Sequence, residues 1–439
     1  MLDFLLYGMF ALETARDLSV NKIALLELFR TPLAINAGIL GAFLVPFVPQ
    51  TRVRDALTCL SVICLIVFAG MIFTILVILA CCLVFALSRL LAQWAHRRGE
   101  KTLPLVMAWL LVNALYAPVF FVILPPFRGQ MSWGEVALFW GPAFLVFKSI
   151  HYIHGACKGH IAPHEPRAFR HYILYMIHFA SFRFGPFQKF RQFDDEVETC
   201  KQRLNWENRL RGLFRIGLGV AKYLIIFHWI NRKFFYPQGY FGPFAEGLFE
   251  NASTADPGHL WLMLYLFMFR LILFISALSD GVIGMNMLMG IRVPENSNWP
   301  IISRDILEFW RRWHVQAMAF FRDEVFFPVG GLRNRIRGYF CVFAYSGFWH
   351  FPSVAAVILF PLIQVVTFEG TIAWIQFWKR HERANDQWHV MRSKLYLHRT
   401  YLSQALGILI VFHIMALSVL LLHDHKYGGT TILPRMFGF

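Results

Sequence analysis

Apolar runs long enough to cross a lipid bilayer recur along the chain, separated by short loops dense in Lys and Arg. Residues 4–12 are apolar but too short to cross a hydrocarbon core, and 14–31 mix polar and apolar positions as an interfacial segment does. Residues 33–49 can span. Residues 56–88 contain no charged side chain. As one helix they would measure about 50 Å against a core of about 30 Å. A tight hairpin at Gly70 resolves the excess and keeps Arg52 and Arg54 on the same side as Arg97, Arg98 and Lys101. Further spans are predicted over 104–125, 133–157, 213–236, 259–291 and 400–422, with a hairpin over 338–378 around Pro361. Residues 171–182 are too short to cross and precede FRFGPFQKFRQF, the pattern of a re-entrant piece, while 194–211 read as a charged amphipathic helix.

One stretch breaks this pattern. From Asp305, a helical period of 100° per residue puts Ile306, Trp310, Trp313, His314, Ala317, Phe320 and Phe321 on one face. Asp305, Glu308, Arg311, Arg312 and Arg322 fall on the others. The segment is too polar to span and fits the membrane–water boundary as a single helix with its apolar side inward. A Gly-Gly turn follows at 330–331, then a basic loop with Arg333, Arg335 and Arg337, then an apolar run from Tyr339 to Phe360 that contains His350.

Composition agrees with a membrane chain. Of 439 residues, 57% are hydrophobic and 15% charged, and the mean hydropathy is +0.50. No alternating pattern of a β-barrel recurs. These features predict an all-α polytopic membrane protein with roughly ten spans. The formal net charge of +16 would raise nucleic acid in a soluble protein. Here the basic residues sit in loops 89–101, 183–215, 311–337 and 379–399, whereas 237–257 has no Lys or Arg and three acids. By the positive-inside rule the first four are cytoplasmic and the last is outside; no nucleic-acid partner is expected. The seven cysteines show no paired spacing and read as buried thiols. The N-terminal MLDFLLYGMF lacks a basic region and is not expected to be a cleaved leader. Asn251-Ala252-Ser253 is a glycosylation triplet of the kind that arises by chance.

Candidate chemistry follows from polar groups in apolar surroundings. An ionisable group within a membrane segment is costly and is a functional candidate by default, which singles out His350 and Asp280. The plain alternatives are a neutral His350 bonded to a neighbouring backbone group or to Tyr345 or Ser346, and an Asp280 paired with Arg270 or another buried base. His314 is equally a core histidine packed between Trp310, Trp313 and Phe321. His151, His154, Cys157, His160 and His164 match no structural zinc spacing, and no metal is expected. His423-Asp424-His425 reads as a solvated helix end. Walker, Rossmann and Gly-x-Ser-x-Gly patterns are absent, so acid–base chemistry by histidine is what remains.

At FGPFQKFRQF (184–193), SDGVIGMNMLMGIRVPENSNWPIISRDILEFWRRWH (279–314), FRDEVFFPVGG (321–331) and SGFWH (346–350) the chain resembles the membrane-bound O-acyltransferase (MBOAT) family. The likeness is to its bacterial branch, with the alginate O-acetyltransferase and the teichoic-acid D-alanyl transfer protein. It extends over most of residues 100–380. The resemblance implies a ring of tilted helices around a central tunnel, with re-entrant and interfacial helices, in a multi-pass protein of the inner or plasma membrane. It implies membrane helices over 1–100, a catalytic core over 101–400 and a last span with an outer tail over 401–439. It also implies His350 as the catalytic residue and His314 as its companion. Asp280, Trp310, Trp313, Tyr345 and Ser346 would support them or line the tunnel.

The reaction implied is transfer of an acyl group, acetyl in the first instance, to a hydroxyl of a cell-envelope polysaccharide. The donor is a cytoplasmic thioester on coenzyme A or a carrier protein, with no bound cofactor. Arg311, Arg312, Arg333, Arg335 and Arg337 would meet the donor's phosphates. Membrane lipid and an extracytoplasmic acyltransferase are the expected partners. The chain departs from the branch at Phe351, where Gly is common, at Gln316, where Ser is usual, and at Glu369, nearest a further His. Ile275 and Leu278 replace aromatic positions ahead of the acid. A proton-coupled transporter or a non-catalytic envelope scaffold on the same frame remains the alternative, although no repeat symmetry supports transport.

Overall fold

The computed structural model describes residue 36 and residues 38–118, 133–182, 187–235, 256–350, 353–382, 400–422 and 429–438. Residues 237–255 of the expected outer loop, the Asn251 triplet, residues 184–186, Phe351, residues 383–399 and His423-Asp424-His425 lie outside them. The described residues are helical, with no strand among them. Among the described residues, four helices are long and apolar enough to cross a membrane: Met71–Arg98, Pro257–Leu288, Ala355–Arg380 and Tyr401–Leu422. The chain forms two compact units, Met1–Leu218 with Ser279–Pro294, and Gly219–Leu278 with Glu295–Phe439.

In the first unit, α1 (Gln50–Ala69) and α2 (Met71–Arg98) meet at Gly70, whose φ of 86° only glycine adopts without strain. The charge-free run over 56–88 therefore breaks where its length requires. Next come α3 (Thr102–Pro118) and α4 (Trp133–Cys157). The segment expected to be re-entrant is split at His178 into α5 (Ala168–Ile177) and α6 (Phe179–Phe182). A helix end inside apolar surroundings must find partners for its carbonyls. Lys148 of α4, buried, supplies them: its Nζ donates to the carbonyls of Tyr175 at 2.9 Å and Met176 at 3.4 Å. The Phe179 N–H donates to Ser61 Oγ at 3.1 Å. His178 Nε2 lies 2.8 Å from Asn286 Oδ1.

Past α6 the charged helix predicted over 194–211 is two pieces. α7 (Phe190–Glu198) and α8 (Trp206–Ala221) are separated by a 3₁₀ turn, Cys200–Arg203. Asn205 starts the second, accepting the Asn208 N–H at 2.8 Å. The span predicted from 213 thus begins earlier and continues through two π segments, Lys222–Phe227 and Asn231–Phe235. α9 (Pro257–Leu288) follows. Its C-terminal end lies in the first unit, where Arg215 pairs with Asp280 at 2.7 Å.

The second unit holds α10 (Ile306–Arg312), α11 (Val315–Phe321), α12 (Arg335–His350), α13 (Phe360–Glu382), α14 (Tyr401–Leu422) and α15 (Gly429–Met436). Ile306, Phe309, Trp313, Phe343, Phe360 and Met415 are among its buried core. Two expectations are corrected here. The hairpin does not turn at Pro361, which lies inside the first turn of α13. It turns between His350 and a π segment, Ala355–Leu359, that leads into α13. Ser353 starts the helix that follows by accepting the Ala356 N–H at 3.1 Å. Nor is 305–322 one helix: it is broken at His314.

Candidate active site

The break at His314 has a backbone cause. Segment 296–298 runs alongside and takes the groups that would continue the helix. Asn298 N–H donates to Arg312 O, and Val315 N–H to Asn296 O, each at 2.8 Å. His314 is left at φ 45°, a left-handed conformation that costs a non-glycine residue of order 1–3 kcal/mol. Strain of this kind persists only where the surroundings fix it. Below it, Asp305 caps α10 by accepting the Glu308 N–H at 2.7 Å. Glu308, assigned by periodicity to a polar face, is instead buried. Arg304 holds it at 2.9 Å and Arg312 at 2.7 Å. Burial pushes the Glu308 carboxyl up, but the two guanidinium groups outweigh it and bring its pKa to about 2.

The His314 ring packs edge-on against Trp313, with centroids 4.6 Å apart. Trp313 stacks on Phe309, and Trp310 lies 4.9 Å from Phe343 of α12. Burial drives the His314 pKa down to about 3, and the neighbouring His350 pushes the same way. Asn296 Nδ2 lies 3.5 Å from His314 Nδ1, a long hydrogen bond.

His350 ends α12 and is exposed, not enclosed in a continuous apolar helix. Its Nδ1 lies 2.8 Å from the Ser346 carbonyl oxygen. A carbonyl only accepts, so in the neutral ring Nδ1 bears the proton and Nε2 the lone pair. Tyr345 lies edge-on to Phe321, with centroids 6.3 Å apart, and to Trp349 at 6.4 Å. Gly347 passes so close to Ala356 that a Cβ there would overlap the Ala356 carbonyl oxygen and sit 2.7 Å from its carbon.

The other predicted residues divide. Asp280 belongs to the first unit, with Arg215 as an ionic partner. Arg312 holds Glu308, and Arg335 makes a two-pronged pair with Glu369 at 2.7 and 2.6 Å. Arg311, Arg333 and Arg337 are exposed and make no ion pair among the described residues. The histidine run near Cys157 is dispersed: His154 is buried near the Leu105 carbonyl, His151 faces the Phe187 ring, and His160 and His164 are exposed. No three His, Cys, Asp or Glu side chains among the described residues could hold a metal ion. Periodicity missed Asn296, Glu308 and Gln364. Only Gln364, a lone amide in PLIQVVTF, carried a signal in the sequence.

These features define an all-helical membrane protein with two histidines at broken helix ends. The family model of MBOAT, membrane-bound O-acyltransferase, matches residues 162–398, more than half of the chain. The chain belongs to this family. It is 28% identical over 227 residues to a teichoic acid D-alanyltransferase of Bacillus subtilis, covering 48% of this chain and 53% of that one. A probable alginate O-acetylase of Pseudomonas syringae is 30% identical over 227 residues, 50% of this chain and 40% of its own. A peptidoglycan O-acetyltransferase of Helicobacter pylori is 28% identical over 190 residues, 42% and 33% respectively. The match thus spans a third to about half of these relatives' lengths.

Proposed function

We propose that the chain is an O-acyltransferase of the inner or plasma membrane that modifies a hydroxyl of a cell-envelope polysaccharide. The acyl group, acetyl in the first instance, would come from a thioester of coenzyme A or of a carrier protein. The observation that carries this reading is the Ser346 carbonyl, which selects the His350 tautomer with its lone pair on Nε2. That nitrogen would take the proton of the acceptor hydroxyl as its oxygen attacks the thioester carbonyl carbon. As the tetrahedral species collapses, the C–S bond breaks. The thiolate takes the proton back from the imidazolium, giving ester and free thiol. A positioned base of this kind contributes about 10²–10⁴ in rate. His314 would donate to the developing oxyanion from the ring nitrogen that bears its proton.

Arg311, Arg333 and Arg337 would meet the donor's phosphates, since Arg312 and Arg335 are engaged in ion pairs. Membership of the family supports a frame of roughly ten spans, with the catalytic core over 101–400. An extracytoplasmic acyltransferase that receives the acyl group fits such a site. The reading is tested with His350→Ala and His350→Gln in proteoliposomes, at equal amounts of folded protein, by thiol release from an acyl thioester in the presence of polysaccharide acceptor. Both variants should lose at least about 10²-fold in kcat. Full activity in either would remove the mechanism.

A further inference from the structure

Gln364 sits in α13 with no exposed surface, and Ser418 of α14 is equally buried. The hydrogen bonds around it can run in only one direction. The Ser418 hydroxyl donates its single proton to Ile414 O at 2.7 Å. Its oxygen must therefore accept from Gln364, whose Nε2 lies 3.0 Å away. That orients the amide with Oε1 toward Trp310 Nε1 at 2.9 Å, and an indole N–H only donates. A directed chain thus runs from α10 through α13 to α14. The Trp310 ring is held on its other side by Phe343 of α12, centroids 4.9 Å apart, and Phe343 packs on Phe360 and Phe368.

Trp310 lies one turn before His314, and Phe343 two turns before His350. Aromatic contact alone is non-directional and lets the two elements slide. A fully satisfied polar chain fixes one register. Its net worth to stability is small, so stability alone is a weak reason for a buried amide at this position.

We propose that Gln364 is a positioning residue that sets the depth of Trp310 against α12, and so the placement of His314 relative to His350. This rests on the acyl-transfer reading given above. The test compares Gln364→Leu, Trp310→Phe and the double variant in proteoliposomes, per mole of folded protein, with His350→Ala alongside. Each single variant should lower kcat about 10-fold, equivalent to about 1.4 kcal/mol, with the KM for the thioester donor within about twofold. The double variant should lose no more than the worse single one, because both remove the same link. Trp310→Phe leaves no orphaned N–H and keeps the test open if Gln364→Leu folds poorly. Wild-type kcat in a folded single variant, or additive losses, overturns the positioning role while an inactive His350→Ala leaves the acyl-transfer reading intact. If His350→Ala is itself fully active, that reading fails first.

Discussion

His314 and Glu308 stand six residues apart and both tie the site to acid, through opposite chemistry. His314 is partly buried and neutral, with desolvation moving its pKa from 6.5 down to about 3. The unfolded chain protonates this ring below pH 6.5 while the folded one does not. Its contribution to stability is therefore complete above pH 6.5 and falls by up to about 1.4 kcal/mol per pH unit as acid is added. Glu308 is buried charged, moved from 4.5 to about 2 by Arg304 and Arg312 against the opposing effect of burial. Its contribution is present above pH 4.5 and is lost between there and 2. Two windows should appear in thermal unfolding of the purified protein against pH. His314→Gln should flatten the decline between pH 6.5 and 4.5 and leave the steeper loss below it; an unaltered upper window would mean that His314 is already charged in the fold. Both histidines were legible in the sequence as ionisable groups among aromatics. Glu308 was not, because its burial depends on which arginines fold over it, and periodicity assigns it to a solvated face.

At the scale of elements, hydropathy located the helices better than it located their breaks. The span predicted over 133–157 coincides with α4, and the charge-free run over 56–88 divides at Gly70. The break at His314 was hidden, since Trp310, His314, Ala317 and Phe321 keep helical spacing through it; hydrogen bonds from 296–298 cut the helix, and those partners are invisible to a local pattern. The turn after His350 was misplaced to Pro361 because a proline in the first helical turn is tolerated, whereas Ser353 carries the restart. That turn brings the π segment against α12 at Gly347, where a side chain has no room. Since the obstacle is backbone rather than a flexible side chain, Gly347→Ala should force the two elements apart. It should cost about 1–3 kcal/mol and lower kcat more than it lowers the melting temperature would suggest, because His350 lies three residues on. Differential scanning fluorimetry with parallel turnover assays would measure both. A variant with wild-type stability and turnover would mean that the π segment yields freely.

For the molecule as a whole, the charge distribution makes a claim that one helix can test. The formal charge of +16 is concentrated in loops assigned to the cytoplasm. α9 joins the acidic stretch ending at Asp256 to the segment around Arg292, with no residue charged between Arg270 and Arg292 except Asp280. Its 32 residues measure about 48 Å, ample to cross a core of about 30 Å with tilt. Asp256 and Arg292 are both exposed, so a thiol at either site is reachable from the water on its own side. In a background lacking all seven native cysteines, of which Cys59 and Cys82 are themselves exposed, Asp256→Cys should react with an impermeant maleimide on intact cells. Arg292→Cys should react only after permeabilisation. Positive charge near a span's end resists translocation, while acidic residues have little say, so the asymmetry between the two ends favours this direction. The reverse labelling pattern would put Arg311 and Arg312, next to His314 in the chain, outside the cell. A cytoplasmic thioester would then have no access to them, and the donor assigned to this site would have to be abandoned along with the topology.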